Sequence, residues 1–326
     1  MATYYIKTTG SGSGAGTDGD PWTIQQFVDS KESTLAADDE INISGGTHAL
    51  TSQWSLSKDG IRYYGDPDNR PVIQWQNAVA SFVKQTAYND RYFDSIIFDS
   101  NGYEASSSAP FVSWQDEAFS RCKFITTGTT NIPQFGLNVV FYKCEWNGGS
   151  RVHGGTQILC SVTGTAGTTG AFYQSVVEKC IAFNCATGFS NAGGASVAGS
   201  IAFGNTLDYT NNSGSHRKSM TDSIVGEIGG FHVNKLMMLN CFYQTLTTAP
   251  AFNSNPTVLA ADPFVNAAAG DFRFTAAAKA TAYYDDLKPI LIGLQGVPAV
   301  TLDTDLVSGD SSPLIQSGGR FGVYES

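Results

Sequence analysis

Arg121, Lys143 and Lys179 each stand immediately before a cysteine, at Cys122, Cys144 and Cys180. Cations that recur in one frame of a repeat fall in a row, and a row of guanidinium and ammonium groups is an anion-binding surface. A catalytic site needs more, either clustered acidic ligands or a positioned acid/base pair. In the same frame only Glu145 and Glu178 lie close. The reading set against a site is solvated surface charge, so the row by itself assigns no catalytic residue.

The remaining candidates are isolated. His48, His153 and His232 have no recognisable Ser or Cys nucleophile arrangement around them. His216, Arg217 and Lys218 close a polar stretch that begins at Asn211, which reads as a solvated turn or an anion contact. Cys180 and Cys185 lack a second close pair, and His153 follows Cys144 at no ligand spacing, which argues against zinc. Asp303, Asp305 and Asp310 lack the Gly and Glu of an EF-hand loop. The glycine run Gly10–Gly16 lacks the Lys-Ser/Thr ending of a phosphate-binding loop and reads as a flexible loop before a helix. No metal and no cofactor is expected.

What would position such a row is a coil. A small residue with a hydrophobic residue two places on recurs at Ile96/Phe98, Cys122/Phe124, Cys144/Trp146, Cys180/Ala182, Ser200/Ala202, Ser223/Val225 and Cys241/Tyr243. The intervals are 26, 22, 36, 20, 23 and 18 residues, and the long one reads as an inserted loop. A repeat of this length marks a solenoid, whose units bury their apolar faces only by stacking. The segments are rich in β-branched and aromatic residues and end in Gly/Asn/Ser/Thr turns, so they are strands. Parallel crossovers are right-handed, and the expected fold is an all-β, right-handed parallel β-helix. The four ladder cysteines are expected to be reduced thiols stacked inside it.

Three segments of one continuous domain follow. Residues 1–50 read as an N-terminal cap and first coil, with Asp20 as N-cap and Pro21 as the first residue of a helix that puts Ile24, Phe27 and Val28 on one face. Residues 51–260 form the body, and 261–326 a closing segment with an irregular tail. The net charge of −10 argues against nucleic-acid and anionic-membrane partners. The N-terminus has no Sec-type signal pattern, and no apolar run approaches a membrane span.

Both ends carry a resemblance. Thr3–Lys7, the Gly/Ser/Asp loop, Pro21–Ile24 and Asp39–Thr47 resemble the first coil of the pectate-lyase-like right-handed β-helix superfamily. Asp262–Val265, Gly270–Phe274 and Arg320–Glu325 are similar to its closing motifs. The superfamily holds polysaccharide lyases, hydrolases and phage proteins of tailspike and capsid-decorating kinds. Its lyases use a Lys or Arg base on one exposed sheet, with Ca²⁺ or another charge neutraliser at the uronate carboxylate. The resemblance therefore makes Arg121, Lys143 and Lys179 the candidate catalytic row for an acidic glycan.

The position after each ladder residue holds Ile97, Lys123, Glu145, Ile181, Ile201, Ile224 and Phe242, and alternation points it outward. From Ile181 onward this is an apolar stripe. Either a loop covers it, or the phase is reversed, or it is an interface; on the last reading Ile181, Ile201, Ile224 and Phe242 would pack three coils into a homotrimer. The sparse catalytic chemistry, reduced-looking cysteines, absent export signal and absence of a separate attachment domain before the coil favour a non-enzymatic tailed-phage virion protein. It would decorate or stabilise the capsid, or serve as a spike or adhesin, and would be assembled in the host cytoplasm. Its partners would be the major capsid protein, other virion proteins or a host surface glycan. The alternative is a polysaccharide lyase or glycosidase acting on an acidic glycan.

Overall fold

The structure is a computed structural model that describes residues 1–11, 14–77, 82–84, 90–103, 111–113, 117–126, 134–135, 139–149, 152–165, 171–173, 175–190, 196–210, 218–229, 236–247 and 249–304. The chain winds as a parallel β-helix. One side is a twelve-stranded parallel sheet running from Thr3–Ile6 and Glu40–Ile43 through Arg91–Asp94 and Val176–Glu178 to Phe252–Ser254. The rest of the coil is a nineteen-stranded parallel assembly in two stacked series.

The inward column of the twelve-stranded sheet explains the stacking. Tyr63, Phe93, Phe119 and Phe141 are partners in register on successive rungs. Their rings stack face to face at 4.6, 4.8 and 5.1 Å, which is the inter-strand spacing itself. Phe98, Phe124 and Trp146 form a second stack across the coil. Aromatic rings thus align rungs and fill the core with one repeated shape.

One residue per rung turns the corner between the two assemblies, and it is left-handed. Ser95, Arg121, Lys143, Leu159, Lys179, Asp222, Asn240 and Asn255 all have positive φ, between +47° and +59°, and Gly199 has +55°. The next residue points inward: Cys122, Cys144, Cys160, Cys180, Ser200, Ser223 and Cys241. These side chains do more than fit. The backbone N–H of Cys144 donates to Cys160 Sγ (3.4 Å), that of Cys160 to Cys180 Sγ (3.3 Å), and that of Cys180 to Ser200 Oγ (3.0 Å). The thiols in turn donate to carbonyls of the preceding rung, as Cys160 Sγ does to Phe141 O at 3.4 Å. The corner amides are buried, so each needs the side chain of the next rung as its partner.

Cys160 also corrects the repeat. The 36-residue interval is not one coil with an inserted loop. It holds an additional rung, Thr156–Ile158 followed by Leu159, Cys160 and Ser161–Thr163, in register on both sides.

The N-terminal cap differs from expectation at its first turn. Helix α1 (Ile24–Gln26) starts after Thr23, whose Oγ1 accepts from Gln26 N while Gln26 Oε1 accepts from Thr23 N. This reciprocal capping box displaces Asp20 and Pro21 from the helix. Phe27 follows and sits edge-on to Trp54 and Tyr63, closing the first coil.

At the other end, Phe264–Asn266 and Asp271–Phe274 pair as an antiparallel hairpin, followed by α2 (Ala276–Lys279) and α3 (Tyr284–Gly293). This segment lies on the outside of the coil. Ile181, Ile201 and Ile224 are fully buried beneath it, in a second core with Phe264, Phe272, Leu287 and Leu291. The outward phase of the stripe is as read, but the chain covers its own apolar surface. Ile181, Ile201, Ile224 and Phe242 are therefore not a surface on which further copies could pack as a trimer.

Candidate functional site

The corner column forms a ridge along the coil, and Arg121, Lys143 and Lys179 all lie on it. Arg121 and Lys143 occupy adjacent rungs; Lys143 and Lys179 are two rungs apart because Leu159 intervenes. Left-handed backbone is costly for side chains with a Cβ, least so for Asn and Asp. The ridge beyond Lys179 uses Gly199, Asp222, Asn240 and Asn255. The three cations stand where those residue types would be easier to accommodate.

Each cation has its own surroundings. Arg121 reaches back one rung to Asp94, with Nε on Oδ1 at 2.9 Å and Nη2 on Oδ2. The hydrogen bonds to Asp94 raise its pKa further. Arg70 Nη1 donates to the Arg121 carbonyl at 3.1 Å, bringing a second guanidinium to the same corner. Tyr92 faces this cluster, and burial, foremost, raises its phenol pKa. Lys143 lies 5.4 Å from the Tyr142 ring centre and beside Gly296, where a Cβ would sit 3.2 Å from its Nζ.

Lys179 opens into a cleft of about 720 Å³ between the ridge and α3. Glu178, Asp222, Asn240 and Asn255 line one wall, and Asp285, Asp286 and Pro289 the other. Ala198 and Gly199 keep the groove beside Lys179 open by their small size. Asn255 Nδ2 donates to Asn240 Oδ1 (3.1 Å), and Asn240 Nδ2 to Asp222 Oδ1 (3.0 Å), which fixes the wall as a side-chain ladder. Asp285 is paired with Lys288. A cation among carboxylates and amides can hold a sugar carboxylate at Lys179, accept sugar hydroxyls on the acids, and move a proton through Glu178 or Asp222.

Glu145 does not join this site. It is on the other side of the corner, paired with Lys123 at 2.6 Å. His48 is buried and its Nε2 lies 2.8 Å from Ser44 O; Asp303 is tied to Phe274 N and Lys279. His216, Arg217, His232, Asp305 and Asp310 lie outside the described residues, as does the side chain of Lys218. Among the described residues no three His, Cys, Asp or Glu side chains converge to hold a metal ion. They do not fit the calcium that the fold resemblance implies. The carboxylates of α3 were missed in the sequence because nothing local indicates that the helix folds back beside Lys179.

No protein-family model matches the chain, and no curated protein does. Solved structures do. A rhamnogalacturonan lyase is 14% identical, with a TM-score of 0.47 and coverage of 74% of each chain. A complex of XylC with xylose is 9% identical, with a TM-score of 0.42 over 77% of this chain and 69% of that one. A mannuronic-acid-specific family 6 polysaccharide lyase from human gut microbiota is 9% identical, with a TM-score of 0.30 over 80% and 84%. The chain's own strand order defines a parallel β-helix architecture. The expectation of a non-enzymatic phage virion protein is corrected: the similar structures include a rhamnogalacturonan lyase and a family 6 polysaccharide lyase, which stand with the alternative reading.

Proposed function

We propose that this protein cleaves an acidic polysaccharide that lies along the corner ridge, with the reaction in the cleft at Lys179. The observation that carries the reading is the placement of Arg121, Lys143 and Lys179 on one ridge in left-handed backbone, the last opening into a cleft of about 720 Å³ lined by carboxylates and amides. Rungs repeat about every 4.8 Å, close to the length of one pyranose unit in an extended glycan. Successive sugar carboxylates therefore meet Arg121 and Lys143 before the chain enters the cleft. There Lys179 would neutralise a uronate carboxylate, which eases removal of the proton on the adjacent carbon. Glu178 or Asp222 would take that proton, the glycosidic C–O bond would break to leave an unsaturated uronate on one fragment, and the departing oxygen would take up a proton from solvent to become the hydroxyl of the other, the base giving its own proton back to solvent. No water is consumed. Product analysis on polygalacturonate, rhamnogalacturonan and polymannuronate tests this. Unsaturated ends support elimination. New reducing ends without unsaturation would replace it with hydrolysis, and no product from any of them would reject the reading.

A further inference from the structure

Five rungs toward the N-terminus from Glu178, about 24 Å away along the coil, the outer face of the twelve-stranded sheet carries a second cleft of about 380 Å³. Tyr5, Asn42 and Tyr64 stand in one register column on successive rungs, all half-buried and facing outward. The loop Gly65–Pro67 forms one wall. A Cβ at Gly65 would sit 2.2 Å from Ser95 O, so only glycine lets the chain turn in this close and leave the face open. Lys7 and Asp18 form another wall and satisfy each other, with Nζ on Oδ1 at 2.6 Å. Asp66 Oδ1 accepts the backbone N–H groups of Asp68 and Asn69.

The chemistry of this cleft differs from that of the ridge. Its single cation already has a carboxylate partner, and Asp66 adds negative charge, so a sugar carboxylate would be repelled. Two phenol rings with an amide between them suit the apolar C–H face of a pyranose and its ring of hydroxyls. Tyr64 continues the aromatic surface toward Arg121, its ring 5.9 Å from that of Tyr92. We propose that the cleft of Tyr5, Asn42 and Tyr64 binds an uncharged sugar residue. The substrate class that follows, a heteroglycan with both neutral and acidic units, rests on the proposed reading of the Lys179 cleft.

The test is titration of the full chain with methyl galactoside, rhamnose and xylose, followed by saturation-transfer NMR, with galacturonate as the acidic comparison. At least one neutral sugar should bind saturably, and galacturonate binding, which belongs to the ridge and the Lys179 cleft, should be untouched by Tyr64→Ala. Tyr64→Ala and Asn42→Ala, checked by thermal melts as folded, should each weaken binding at least about fivefold, and Lys179→Ala should leave it unchanged. No neutral sugar bound, neutral-sugar binding untouched by both variants, or galacturonate binding weakened by Tyr64→Ala as much as that of the neutral sugars would each overturn the proposal. Neutral-sugar binding retained by a protein that cleaves no acidic glycan would keep this cleft and sink the reaction at Lys179.

Discussion

Arg121 and Asp94 are joined across adjacent rungs by two hydrogen bonds, from Nε to Oδ1 and from Nη2 to Oδ2, which fix the guanidinium on this corner. The pairing positions the charge rather than stabilising the fold, because the arginine side chain is 53% exposed and such pairs contribute at most about 1 kcal/mol.

Asp94→Ala should therefore shift the melting temperature little while weakening binding of acidic oligosaccharides about tenfold. Oligogalacturonate titration against wild type and Asp94→Ala checks this. Equal affinities would remove Arg121 from the binding surface.

The corner ladder makes a sharper demand on side-chain chemistry than on size. Cys160→Ala leaves the Cys144 N–H without its acceptor and should cost about 1–3 kcal/mol, whereas Cys160→Ser should be tolerated, since Ser200 and Ser223 accept the corner amides in the same way farther along the column. Urea denaturation of both variants reads the difference. If alanine and serine cost the same, the thiols act only as small fillers.

Arg91 and Glu117 form a fully buried ion pair at 3.2 Å, with both side chains 0% exposed. Glu117→Gln removes one charge and leaves the other in the core, at an expected cost of about 3–5 kcal/mol. A melt within a degree or two of wild type would contradict the burial of the pair.

Burial pushes the Asp208 carboxyl up from 3.8 to about 6, against hydrogen bonds from Asn205 and the Glu227 N–H that favour the charge. The folded state then keeps a proton that the unfolded chain releases, so stability falls as pH rises from about 4 to about 6 and is level on either side. The drop from this group is about 3 kcal/mol at most. Asp208→Asn should remove that contribution to the slope in denaturation curves taken across the window. An unchanged slope would show that Asp208 titrates normally.

The fold was legible because ladder residues and their partners two places on are local in sequence and repeat. The rung at Cys160 was missed because its flanking strands are short and Leu159 breaks the run of polar corner residues. The basic row was also readable, since each cation precedes a cysteine. The cover over Ile201 and the α3 wall facing Lys179 were not, because both depend on residues 261–302 folding back beside rungs formed some eighty residues earlier. An apolar stripe is the same in sequence whether its own chain or another copy covers it. Ile201→Asp should accordingly destabilise the monomer by several kcal/mol rather than dissociate an assembly, and a denaturation midpoint with light scattering separates the two.

The central claim is tested most directly by the ultraviolet absorbance of unsaturated uronate during incubation of acidic polysaccharide with wild type and with Lys179→Ala. The expected result is a steady rise with wild type, and a loss of at least about a hundredfold in rate for the variant at unchanged thermal stability. A rate equal to wild type in Lys179→Ala, or no rise with wild type on any acidic polysaccharide, would contradict it.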